Sequence, residues 1–163
     1  MIHSVHKHTF MLQRIQSIWM LLAAICAGLT FKFPFYFGNM KVGLNGIAPL
    51  EVKAVPTFGA GTVSAGSGSV LILIVTVILI AGILINIFSY KSRRKQLWIT
   101  IGLIVLSLLN ILLYWWKSGT PPFESGSFSL GALFALAIPV LLFMAARNIR
   151  KDEKLVKSAD RLR

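Results

Sequence analysis

Apolar residues in this chain come in unbroken runs rather than at helical or strand spacing: Leu12–Phe31, Val70–Tyr90, Leu97–Trp116 and Phe128–Ala146. A helix of about 20 residues rises roughly 30 Å, the hydrocarbon thickness of a bilayer. Backbone in lipid must satisfy its own hydrogen bonds, so runs of this length predict helices. The shorter alternating strands of a membrane barrel are not seen. The expectation is an all-α integral membrane protein with four transmembrane helices, at 12–31, 70–90, 97–116 and 128–146. Together these form one domain over 12–146, flanked by a tail at 1–11 and a basic segment at 147–163.

Charge adds an orientation. With 56% hydrophobic residues and mean hydropathy +0.76, the chain lies outside soluble globular composition, yet it carries a net charge of +12. Thirteen of the 17 Lys and Arg fall in the tail, the 91–96 loop, the mouth of the first span and the C-terminal segment, if the chain starts in the cytoplasm. The longer loops 32–69 and 117–127 hold only Lys32, Lys41, Lys53 and Lys117. Short-loop Lys/Arg bias sets topology, so both termini are expected in the cytoplasm, with 32–69 and 117–127 periplasmic. The basic excess then reads as an orientation signal rather than a nucleic-acid surface.

Local features refine each span. Gln13, Arg14 and Gln16 open the first and are expected to reach the cytoplasmic headgroups. Ala23, Ala24, Ala27 and Gly28 form two overlapping pairs of small residues that permit close helix approach. Cys26 follows Ile25 rather than a small residue, so it reads as a buried apolar side chain, not an acylation site. His3, His6 and His8 sit in the polar tail, where no metal is expected. Phe33–Phe37 forms an aromatic belt in which Pro34 ends the helix, and Asn45-Gly46 predicts a hairpin turn within Met40–Val55. Gly59–Gly68 reads as a flexible lead-in, and Pro121-Pro122 as a rigid turn. Trp98 is expected at the inner interface, and Tyr114, Trp115 and Trp116 at the outer one. The fourth span carries a further small pair, Gly131 and Ala135, and Pro139, which should kink it. Beyond it, Leu155, Ala159 and Leu162 repeat at helical spacing, predicting a basic amphipathic cytoplasmic helix.

The polar inventory of the spans is chemically quiet. Thr76, Asn86, Thr100, Ser107 and Asn110 are neutral, whereas pumps and intramembrane hydrolases need ionisable groups at depth. Asn86 and Thr100 lie at similar depth on antiparallel helices and are expected to hydrogen-bond. Asn110 is too far from Asn86 and needs another helix, a water or a partner subunit. There is no nucleophile–base pair, metal-ligand spacing or phosphate loop, so no enzyme activity and no cofactor are expected.

Both ends of the chain resemble one family. Met11-Leu12-Gln13-Arg14-Ile15-Gln16-Ser17 and the closing residues from Ile149 to Arg163 are similar to the termini of domain-of-unknown-function family 4293, small four-span proteins of Bacteroidota. That resemblance implies a bacterial inner membrane and a family start near Met11, with residues 1–10 upstream; it implies no activity. The function expected is a non-catalytic accessory or scaffold subunit of a larger inner-membrane complex. Its cytoplasmic face would bind other subunits or anionic lipid through Gln13, Arg14, Gln16, Arg150, Lys151, Lys154, Lys157 and Arg161, and deleting Lys151–Arg163 should weaken association without blocking insertion. Helix packing is assigned to Ala24, Gly28, Asn86, Thr100, Asn110, Gly131, Ala135 and Pro139. The alternatives are a small oligomeric transporter or channel lined by Asn86, Thr100 and Asn110, and a receptor for RNA or the ribosome.

Overall fold

A computed structural model describes the backbone of residues 2–42, 46–52, 67–89, 93–119 and 125–160, and the side chains of 16–36, 52, 70–89, 93–118 and 126–153. Its elements are α1 (Ile2–Leu29), β1 (Tyr36–Val42), β2 (Gly46–Val52), α2 (Ser67–Phe88), α3 (Arg93–Gly119), β3 (Ser125–Phe128) and α4 (Leu130–Asp160). Three helical stretches are long and apolar enough to cross a membrane: Val70–Phe88, Arg93–Ser118 and Leu130–Glu153. The described apolar part of α1, Gln16–Leu29, is shorter.

The four helices form an up-down-up-down bundle in which α1 contacts α2 and α4, and α3 contacts α2 and α4. One rule selects the inward residues. Buried positions are 16, 20, 23, 27 and 30 on α1, 72, 76, 79, 83 and 86 on α2, and 96, 100, 103, 107, 110 and 114 on α3. On α4 they include 135, 138, 142, 145, 149 and 152. Alternating steps of three and four average 3.5 residues, the repeat that keeps a stripe facing its neighbours in left-handed helix packing. Leu, Ile and Val outside the stripes remain exposed, as lipid permits.

The all-helical expectation omitted a small sheet of order β2-β1-β3, antiparallel throughout. β1 and β2 form the hairpin expected around Asn45-Gly46, pairing Tyr36 with Val52 and Val42 with Gly46. β3 was not foreseen. Phe128, assigned from sequence to the fourth span, instead pairs with Tyr36, and α4 starts two residues later. Nor are residues 1–11 a separate tail: from Ile2 onward their backbone continues into α1. Of the flexible lead-in expected over Gly59–Gly68, Ser67 and Gly68 instead open α2, and Gly59–Gly66, like Pro121-Pro122 and the His side chains, lies outside the described residues.

The sheet is fastened to one end of the bundle. Phe35 is buried, stacks on Tyr114 of α3 at 4.7 Å between ring centroids and meets Phe128 edge-on at 5.8 Å. Tyr114 is therefore an interior residue rather than an interface aromatic, because it falls on the inward stripe of α3. Trp98, Trp115 and Trp116 are exposed. Where α4 begins, the Gly131 amide donates to the Pro34 carbonyl at 3.0 Å. A Cβ at Gly131 would lie 2.5 Å from the Phe33 oxygen, so only glycine lets the chain leaving α1 cross the start of α4 this closely.

Candidate functional site

The inward stripes carry interhelix polar contacts at two levels, separated by a layer that is apolar except for Ser107, whose hydroxyl donates to the Ile104 carbonyl of its own helix at 2.7 Å. At the level nearer the α2–α3 connection, Asn86 Nδ2 donates to Thr100 Oγ1 at 2.8 Å and lies 3.9 Å from Met20 Sδ. Thr100 Oγ1 donates onward to the Gln96 carbonyl at 2.7 Å. Gln96 Nε2 donates at 3.2 Å to the Asn86 carbonyl, in the last turn of α2, which also accepts from the Ser89 amide at 3.2 Å. At the other level, Asn110 Nδ2 donates to Thr76 Oγ1 at 3.1 Å, and Thr76 Oγ1 donates to the Ile72 carbonyl at 2.8 Å.

These levels share one design. Both α2 and α3 place Asn ten residues after Thr (Thr76 and Asn86, Thr100 and Asn110). Antiparallel packing then pairs the Thr of each helix with the Asn of the other, about 15 Å apart along the axis. Asn110 thus finds its partner within the same hairpin. The repeated spacing was the signal in the sequence that pointed to it. Between the levels lie Ala23, Leu79, Ile83, Leu103, Ile138 and Leu142, all buried in one apolar cluster.

Several acceptors stay unpaired among the described residues: Gln16 Oε1, Asn86 Oδ1, Gln96 Oε1, Asn110 Oδ1 and the Tyr114 hydroxyl. The last faces the Thr30 and Thr76 hydroxyls without reaching hydrogen-bond geometry. Both threonines donate to their own helices instead, Thr30 to the Ala27 carbonyl at 2.7 Å.

Gln16 was assigned to the headgroup-facing surface, and the structure corrects this. It is 2% exposed, because it lies four residues before Met20 on the inward stripe of α1. Gly28, expected at a helix contact, is exposed with open space beyond it, and Ala24 is half-buried. The other small pair, Ala23 and Ala27, is fully buried instead. Cys26 is half-buried against the same core. Ala135 is buried, and Pro139 is half-buried within α4, which runs on to Asp160.

At the end opposite the sheet, Asp152 is buried and pairs with Arg93 of α3. The sequence concealed this, since an acidic residue in a basic run looks like a solvated face. Position 152 nevertheless follows 149 on the inward stripe of α4. Arg150 and Lys151 are exposed on its surface. The side chains of Gln13, Arg14, Lys154, Lys157 and Arg161 lie outside the described residues. Among the described residues no three His, Cys, Asp or Glu gather as a metal site.

Residues 12–162 match the sequence model of a domain of unknown function, DUF4293, and the chain belongs to that family. No curated protein and no solved structure matches the chain.

Proposed function

From a member of the DUF4293 family with this bundle, we propose a non-catalytic accessory or scaffold subunit of a larger bacterial inner-membrane complex. In this reading α1 is a fourth span beside the three long apolar helices, both termini face the cytoplasm, and the sheet lies on the periplasmic side. The observation that carries it is the C-terminal extension of α4. Its 31 residues rise about 46 Å, some 16 Å more than hydrocarbon thickness. The Arg93–Asp152 pair ties the root of that extension to α3. A cationic helix held at a fixed place is suited to docking, with Arg150, Lys151, Lys154 and Lys157 on it; Arg161, and Gln13 and Arg14 at the other end of the chain, complete the proposed docking set.

The interior supports a structural role for the buried polar groups. The Asn86, Gln96 and Asn110 amides donate between helices and the Thr76 and Thr100 hydroxyls donate within their own, and a conduit through one copy would have to cross the layer of Leu79, Ile83, Leu103 and Leu142. Affinity purification at native expression in mild detergent, with mass spectrometry of what co-purifies, tests the proposal. A membrane complex recovered in stoichiometric amount supports it; recovery of this chain alone overturns it.

A further inference from the structure

Between α3 and α4, at the end carrying Arg93 and Asp152, lies a groove of about 340 Å³. Farther from that end its walls are Ile101 and Ile104 from α3 and Phe143 and Ala146 from α4, with Phe143 exposed and the two isoleucines half-buried, while its rim carries Arg147, Arg150 and Lys151. From Phe143 to Lys151 is eight residues, about 12 Å along the helix. One end of the groove is therefore apolar at acyl-chain depth, and the other is cationic.

That order of chemistry matches an anionic phospholipid. A soluble anion would leave the apolar walls unfilled, and a zwitterionic lipid brings no net charge to the three cations. An acidic peptide would have to place backbone polar groups against Ile104 and Phe143 without partners. The Arg93–Asp152 pair joins α3 and α4 beside the groove, so its walls stand in place before a ligand arrives and little ordering is needed. We infer that this groove binds one anionic phospholipid, its phosphate held by Arg147, Arg150 and Lys151 and an acyl chain lying along Ile101, Ile104 and Phe143. The inference is independent of the partner complex. It requires only that this end of the bundle sits at a headgroup layer.

The test is native mass spectrometry of the full chain released from nanodiscs containing equal phosphatidylglycerol and phosphatidylcholine. One retained phosphatidylglycerol is expected. At about fivefold per cation near a membrane surface, R150Q/K151Q should lower the retained ratio of the two lipids about thirtyfold. R94Q/K95Q removes two exposed cations from the same end, outside the groove, and should leave the ratio unchanged. Where the double variant does not fold, R147Q alone should show the fivefold loss. Equal losses in R150Q/K151Q and R94Q/K95Q, equal retention of both lipids, or displacement by millimolar inorganic phosphate would each overturn the site.

Discussion

Gly131→Ala isolates the contact that seats the sheet end of the molecule. The added Cβ would lie 2.5 Å from the Phe33 oxygen and the Pro34 carbonyl carbon, and nearer still to the Pro34 oxygen. These are backbone atoms, so α4 and the chain leaving α1 must part by about 1 Å to restore ordinary contact. Separation removes the hydrogen bond from the Gly131 amide to the Pro34 carbonyl, worth about 0.5–1.5 kcal/mol, and adds roughly 1–3 kcal/mol of overpacking strain. Alanine returns up to about 1 kcal/mol through helix propensity. The net expectation is a loss of about 1–3 kcal/mol, read from helicity by circular dichroism across an SDS titration. Gly28→Ala and Gly102→Ala meet open space and should be neutral or slightly stabilising. Gly82→Ala meets the tip of the Leu103 side chain, which can turn aside for about 0.5–1.5 kcal/mol. If Gly131→Ala matches wild type, or Gly28→Ala is as damaging, the account of that crossing is wrong.

Three further outcomes follow from the interior. Asn86→Leu removes an interhelix bond of about 0.6 kcal/mol and also an unpaired acceptor, while Thr100 keeps its bond to Gln96. Stability in the same titration should change by less than about 1 kcal/mol; a loss above about 3 kcal/mol would show that the polar level carries the bundle. Liposomes containing the wild-type chain should show no ion flux above empty liposomes, and flux abolished by Asn86→Leu would establish the conduit instead. Asp152→Ala should cost about 1–3 kcal/mol, less than a fully buried pair, because Arg93 can turn toward the headgroups. In a double-mutant cycle Arg93→Ala and Asp152→Ala should fall short of additivity, and strict additivity would dissolve the pair.

The helices were legible because charge-free runs of this length have few alternatives in lipid. Which face of each helix turns inward was harder to see, since Leu and Ile serve both lipid and core. The polar residues mark the face instead: Thr76 and Asn86 on α2, and Gln96, Thr100, Ser107 and Asn110 on α3, all fall on the inward stripes. Gln16 and Asp152 obey the same spacing, but their positions near the span ends made headgroup exposure the natural expectation. The hairpin was signalled by Asn45-Gly46. β3 was not, because Ser125-Gly126-Ser127-Phe128 has little strand preference of its own and is a strand through its pairing with Tyr36–Asn39.

Asp152 also changes how the C-terminal extension should be cut. Deleting Lys151–Arg163 would take away the partner of Arg93, and any loss of binding could then reflect a loosened bundle. A chain ending at Glu153 keeps the ion pair and removes Lys154, Lys157 and Arg161. The direct measurement is quantitative mass spectrometry of proteins co-purifying with this truncated chain and with the full chain, at equal membrane level and matched SDS stability. The docking account predicts at least a tenfold drop in partner recovery with unchanged insertion; undiminished recovery would contradict it.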